Sequence, residues 1–286
     1  MSTFFVAWGQ TVRGAPIDPL PSYDQSWLRP RSPPRCPFEH WGYEFMAKPP
    51  KPNAFPPSHV EVDPDEITNL LLHYSQHYIT TELKPTARNK YSTFEVLLAH
   101  IWRKITTARG LRDTEELSTM VRVSVNGRSR LKRLDDTVPP PPSEFFGNLV
   151  LNAYPNTSAK RLVEGGLEEA AGLVHEAVAE VDGEYFQSFV DFGAVHGEEE
   201  GLAPVYDSDA NVLSPNLEVD SLLRFRFQEL DFGGGGALAA FLPTWVPVDG
   251  LMVFLPSLRE DGGVDVFVGL REEHAKVLRQ ISHSLD

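Results

Sequence analysis

The sequence predicts an α/β chain in which helices and strands mix in α+β layers. Three observations predict it. Capping signals open amphipathic helices, apolar residues alternate in short runs, and the two patterns interleave without strict alternation. The 286 residues suffice for one large domain or two smaller ones, and 41% hydrophobic content can build a real core.

The elements follow in chain order. Over 2–13, Phe4, Phe5, Trp8 and Val12 recur at near-helical spacing, and Gly14 is a stop signal. A helix this short needs a partner surface, and nothing N-terminal to it in the sequence supplies one. Residues 14–57 carry proline throughout, which excludes a helix. Trp27, Phe38, Trp41, Tyr43 and Phe45 make the stretch too aromatic for a solvated linker, so it reads as a crossover lying along a protein surface; a free tail is the alternative. Asp63-Pro64-Asp65-Glu66 has the form of a helix start, with Ile67, Leu70, Leu71 and Tyr74 on one face. Ser92-Thr93-Phe94-Glu95 is a second capping box, with Phe94, Leu97, Leu98, Ile101 and Ile105 inward. Strands are expected at 120–125 and 149–154, and one long amphipathic helix over 159–182. Two more strands, 251–257 and 264–270, are joined by Asp261-Gly262-Gly263, and a last helix starts near Glu272.

Composition excludes several functions. A net charge of -14 opposes binding to nucleic acid phosphates. The single cysteine, Cys36, permits no internal disulfide and suits a reducing, cytoplasmic compartment, where a lone thiol is commonly inert. No apolar run approaches the roughly 18 residues of a membrane span, and the first residues lack the basic leader of a signal peptide. There is no G-x-S-x-G, no P-loop lysine and no H-E-x-x-H.

Four segments in order carry a resemblance. They are Tyr91-Ser-Thr-Phe-Glu95 leading into Ala99-His-Ile-Trp-Arg103, then Val123-Ser-Val-Asn-Gly-Arg-Ser-Arg130, then Phe145-Phe-Gly-Asn-Leu149, and finally Asp231-Phe-Gly-Gly-Gly235 ahead of Gly250-Leu-Met-Val-Phe-Leu-Pro256. Together they resemble the plant BAHD acyltransferases, nearest in flavour to grass hydroxycinnamoyl or benzoyl transferases acting on amines. The resemblance spans essentially the whole chain. It implies a chloramphenicol-acetyltransferase-like fold, with 1–13 a helix of a first domain, 14–57 the crossover and 58–286 the second domain. It implies transfer of an aromatic acyl group from acyl-CoA, as co-substrate and with no bound cofactor, to an amine or alcohol acceptor. The alternative is a pseudoenzyme that binds acyl-CoA or a partner without catalysis.

The family's general base is the His of an H-x-x-x-D-G motif just before a helix resembling 2–13. That motif is absent here, so the chain is expected to be a remnant, inactive alone and poorly soluble through aromatics left exposed. His59-Val-Glu-Val-Asp63 matches H-x-x-x-D literally, but Pro64 follows and Asp63 is better used as a cap. The resemblance gives Asp231 a structural role, paired with Arg128 or else Arg130, or the role of a second catalytic acceptor. It makes Asn148 and Arg224 substrate- or CoA-binding residues. Gly234 stands where Trp is usual, which is expected to loosen local packing. Gly233 and Gly235 read as a tight turn. Arg122, Arg128, Arg130, Lys132 and Arg133 form one basic segment, fit either for CoA phosphates or as solvated strand-end charge. His100 reads as a buried, satisfied histidine. His73 and His77, four apart on an expected helix, could grip a metal but have no third ligand, so no metal is expected.

Overall fold

A computed structural model describes residues 2–47, 61–113, 116–131, 141–142, 144–197, 202–205, 211–235, 238 and 240–285. His59, Lys132, Arg133, Gly236 and the end of the crossover lie outside them.

The centre is a helix buried on nearly every face. Helix α4 (Thr93–Ala108) starts at the expected capping box: Ser92 Oγ accepts from the Glu95 N–H, and Glu95 returns a bond to the Ser92 N–H. Leu97, Leu98, Ile101 and Trp102 are wholly buried, and so is His100, while Arg103 and Lys104 are nearly so, so burial extends beyond the expected apolar face. It is flanked by α5 (Ala159–Glu164), α6 (Gly166–Glu180) and α8 (Glu272–Ile281). Arg103 donates to the carbonyls of Leu162 and Val163, satisfying the C-terminal end of α5.

Beneath these helices runs a mixed sheet in the order β2-β9-β8-β7-β3-β4, with β5 also on β3. Its strands are β2 (Ile67–Tyr74), β3 (Ser118–Asn126), β4 (Val150–Ala153), β5 (Asn156–Ser158), β7 (Leu217–Ser221), β8 (Leu251–Pro256) and β9 (Val264–Arg271). Only β3–β7 and β7–β8 are parallel pairs. Strand β7, which no sequence signal announces, joins the two antiparallel halves. Outside the sheet, β1 (Phe45–Ala47) pairs with β6 (Leu202–Pro204).

Three expectations need correction. The helix expected after Asp63 is a single 3-10 turn, Pro64–Glu66, followed by strand β2. Asp63 does cap that turn, but Leu70, Leu72 and Tyr74 then alternate inward while Leu71 is exposed. Full pairing with β9, from Ile67↔Arg271 to Tyr74↔Val264, overrides the helical spacing. His77 sits beyond β2 in α2 (Gln76–Tyr78), which runs through a π-turn, Ile79–Leu83, into α3 (Lys84–Thr86). His73 and His77 therefore do not share a helix face. The long helix of 159–182 is two, because Gly166 takes φ +85°. A further helix, α7 (Gly183–His196), follows with Asp182 as its cap.

The crossover lies on this body as a strap. Arg31 pairs with Glu184 and Asp191 of α7, and Asp191 also accepts the N–H groups of Arg31 and Arg35. His40 is buried, with Nε2 2.9 Å from Ser188 Oγ and Nδ1 3.0 Å from Glu44. These contacts tie an irregular, proline-rich backbone to one helix face.

Candidate functional site

Helix α1 (Ser2–Val12) is where two of the quoted motifs, the Asp231 turn and the Phe145–Phe146 step, come together. One flank faces the Asp231 turn. A Cβ on Gly9 would overlap the Asp231 carbonyl, so glycine here permits the close approach. Phe5 meets Phe227 and Phe241 at 6.5 and 5.5 Å, and Trp8 stands edge-on to Phe232 at 5.4 Å. The helix therefore has its partner surface, supplied by residues more than two hundred positions later. Arg13 completes the joint by an ion pair with Asp231. The other Asp231 oxygen accepts the Gly233 N–H at 2.7 Å, and Gly233 and Gly235 sit at φ +87° and +75°.

The expected partner of Asp231 is thus corrected. Arg128 turns instead to its own loop, donating to the carbonyls of Phe145 at 2.9 Å and Gly147 at 2.6 Å. Arg130 donates to the carbonyls of Val178 and Val181 at the end of α6. Both guanidiniums donate to backbone oxygens, and Arg128 also donates to Asn126 Oδ1 at 3.2 Å. Nor is the Asp231 pair buried: the side chains of Arg13 and Asp231 are 35% and 42% exposed. Gly234 is exposed, and among the described residues no atom lies within 4 Å of where its Cβ would stand. Arg122 pairs with Glu218 at 2.5 Å.

The other flank of α1 encloses a cleft of about 530 Å³ with the crossover and Phe146; Phe4, Ala7, Trp8, Thr11 and Tyr23 are among its walls. The Phe145–Phe146 step is placed by neighbours on both sides. Phe145 is buried edge-on to Trp27 at 5.0 Å, the Phe146 N–H donates to the Ser22 carbonyl at 2.7 Å, and the Phe146 ring lies 5.7 Å from Tyr23. Arg128, through the Phe145 and Gly147 carbonyls, holds the turn that carries Phe146. The walls are aromatic and methyl-rich, which suits a planar aromatic group. Asn148 does not line it. It faces a second cavity of about 420 Å³ between crossover and α7, beside Leu28, Phe186 and Phe189. Arg224 is exposed and makes no hydrogen bond or ion pair among the described residues. Cys36 is exposed.

None of the described histidines lines the α1 cleft. His100 is fully buried with Nε2 2.6 Å from the Ser282 carbonyl, and burial pushes its pKa down to about 4, so it is neutral. Being neutral, it donates from Nε2, and its Nδ1 has no partner. His73 lies between Asp265 and Asp261 at 2.7 and 3.0 Å. His175 contacts Glu95, and His283 contacts the His73 carbonyl. Among the described residues no group of three His, Cys, Asp or Glu could hold a metal ion, and no helix is long and apolar enough to cross a membrane.

One buried pair carries no motif signal. Arg109, at the C-terminal end of α4, pairs with Asp249, whose other oxygen accepts the Arg271 N–H at 2.8 Å. The joint locks α4 to the start of β8 and the end of β9. Gly250, at φ +102°, leaves room for the Arg109 guanidinium.

Comparison with known proteins accounts for the motifs. A family model described as Transferase family matches residues 1–284. Among curated relatives, tryptamine hydroxycinnamoyltransferase 2 of Oryza sativa subsp. japonica is 41% identical over all of this chain and 63% of its own length. Agmatine hydroxycinnamoyltransferase 1 of the same organism is 42% identical over 94% of this chain and 60% of its own length. Agmatine coumaroyltransferase-1 of Hordeum vulgare is 39% identical over 99% and 63%. The chain therefore spans under two thirds of the length of these relatives. Among solved structures, vinorine synthase superposes with a TM-score of 0.65 at 20% identity, covering 98% of this chain and 58% of that one. F. sporotrichioides TRI101, solved with coenzyme A and T-2, gives 0.63 at 19% identity, covering 98% and 61%. At that identity the likeness establishes the fold, the chloramphenicol-acetyltransferase-like one. With the match to residues 1–284, the identities near 40% and the motifs around α1 all in agreement, the chain belongs to this transferase family, the BAHD acyltransferases.

Proposed function

We propose that the protein takes part in transferring an aromatic acyl group from acyl-CoA to an amine acceptor, with the α1 cleft receiving an aromatic portion of a substrate. The observation that carries this is the aromatic wall of Phe4, Trp8, Tyr23 and Phe146, in a chain whose relatives bear the names of hydroxycinnamoyl and benzoyl transferases of tryptamine and agmatine. In this reading the amine nitrogen attacks the thioester carbonyl, the nitrogen loses a proton, and CoA leaves as the thiol. Arg128 and Asp231 are positioning residues: one holds the Phe146 turn, the other holds α1 to its loop. Exposed Arg224 and Asn148 are left to meet polar parts of the substrates.

The proton acceptor is assigned to none of the nine histidines in this sequence. H-x-x-x-D occurs only at His59–Asp63, and Asp63 already caps the Pro64 turn. A positioned general base contributes about 10²–10⁴-fold, so residues 1–286 by themselves are expected to turn over poorly. The test is thiol release from p-coumaroyl-CoA or benzoyl-CoA with tryptamine, tyramine or agmatine. Residues 1–286 are compared with the same chain extended upstream by a segment carrying H-H-x-x-x-D-G. Turnover only in the extended chain is expected, with KM for the acyl-CoA raised by Phe146→Ala. Robust turnover by residues 1–286, abolished by His59→Ala, overturns the assignment of the base. Acyl-CoA binding without turnover in either form favours the pseudoenzyme reading.

A further inference from the structure

A hollow of about 390 Å³ lies apart from the α1 cleft, where the crossover meets the last turn of α6, the first turn of α7 and the edge strands. Its size falls within the roughly 300–1,000 Å³ of small-molecule sites. Its walls include two aromatic pairs. Phe38 and Tyr185 lie 5.1 Å apart at an interplanar angle of 56°, and Tyr43 and Tyr154 5.6 Å apart at 49°. Two carboxylates, Glu39 and Glu180, also line it, and none of the described lining residues is a lysine or arginine.

Among the described lining residues, the only charged side chains are the two carboxylates. The Glu180 carboxylate is exposed and makes no ion pair or hydrogen bond among the described residues. Glu39 accepts only the Trp41 N–H through one oxygen. Behind the Tyr185 ring, Glu44 accepts the phenol hydrogen at 2.8 Å and contacts His40. Burial and that bond push the Tyr185 ionisation upward, so its ring stays neutral. Arg122, in an adjoining hollow that shares Tyr43, Met120 and Tyr154, is paired with Glu218, and Arg130 donates to the carbonyls of Val178 and Val181. Ring faces attract cations through the quadrupole, and carboxylates at the rim add to that field.

We propose that this aromatic and acidic hollow binds a primary organic ammonium carrying an alkyl or aryl tail, at a site separate from the α1 cleft. The tail lies along Met120 and the rings, and the ammonium faces Glu39 and Glu180. Binding here is read without turnover, so this proposal and the acyl-transfer reading can fail independently.

The probes are tyramine and its uncharged analogue 4-ethylphenol, titrated into residues 1–286 by calorimetry and by saturation-transfer NMR. Tyramine is expected to bind at least about 5-fold more tightly than 4-ethylphenol, since the cation–π term is lost in the analogue. Tyr43→Leu and the double variant Glu39→Gln/Glu180→Gln alter exposed side chains outside the main core, and each is expected to weaken tyramine about 3–10-fold. The component of tyramine binding lost in Tyr43→Leu and in the double variant is expected to persist in Phe146→Ala, whose side chain lies in the other cleft. Equal affinity for the two probes overturns the proposal. So does tyramine binding that survives Tyr43→Leu and the double variant but is lost in Phe146→Ala. If Tyr43→Leu proves misfolded by its NMR spectrum, the double variant and the probe pair still decide.

Discussion

Asp249 and Asp231 both hold an arginine, yet their surroundings set very different energies. Asp249 is fully buried with both oxygens engaged, and the Arg109 side chain is nearly as buried. Removing one charge of such a pair strands the other in low dielectric, which costs about 3–5 kcal/mol. Asp249→Asn is therefore expected to lower the urea midpoint strongly at unchanged slope. Asp231 and Arg13 are each more than a third exposed, where water screens most of the attraction. Asp231→Asn keeps an acceptor for the Gly233 N–H and is expected to cost about 1 kcal/mol or less. Equal losses in the two variants would show that the Asp231 pair is less screened than its exposure implies. The Asp231-Phe-Gly motif stands out in the sequence while the buried pair does not. A motif is a string of neighbours, whereas Arg109 and Asp249 meet only because α4 ends over β8.

Elements with local causes are legible in the sequence, and those with distant causes are not. The Ser92–Glu95 box opens α4 because a cap is satisfied within four residues. Strand β2 is misread as a helix because Ile67, Leu70, Leu71 and Tyr74 fit a helical stripe, and only the pairing with β9 decides otherwise. Helix α1 is legible as a helix, but its partner surface lies far along the chain. That joint predicts opposite outcomes for two helical glycines. Gly9→Ala gains helix propensity, yet its Cβ overlaps the Asp231 carbonyl, a backbone atom that cannot rotate away. Overpacking of this kind costs about 1–3 kcal/mol, so α1 should loosen from Phe227, Asp231, Phe232 and Phe241, seen as lost protection of its amides in hydrogen exchange and a weaker near-UV signal from Trp8. Gly193 in α7 has open space around its Cβ direction and ordinary φ. Gly193→Ala should stabilise by up to about 1 kcal/mol. Stabilisation in both variants would dissolve the proposed close approach at Gly9.

At the scale of the whole molecule, α1 covers part of its apolar surface but not all. Phe4 and Trp8 remain 52% and 51% exposed, and Leu20, Tyr23 and Trp245 are exposed too. Exposed patches of this kind promote association, so strong dye binding to residues 1–286 is expected at neutral pH. Acid should then act through a separate buried group. His100 joins α4 to the C-terminal segment through the Ser282 carbonyl and packs edge-on to Tyr74 of β2. Its pKa is about 4 in the folded protein, lowered from 6.5 first by burial. The unfolded chain takes up a proton there at higher pH than the folded one, so stability falls as pH drops. The contribution is fully present above about pH 6.5, declines through the window down to about 4, and levels off below it. Integrated over that window the loss is about 3 kcal/mol. His100→Gln, which keeps a donor near Ser282 and cannot take up that proton, should flatten this part of the stability profile. The measurement is urea unfolding at a series of pH values, with both proteins followed over the same range. Parallel profiles for the two would show that His100 titrates normally and that the acid sensitivity originates elsewhere.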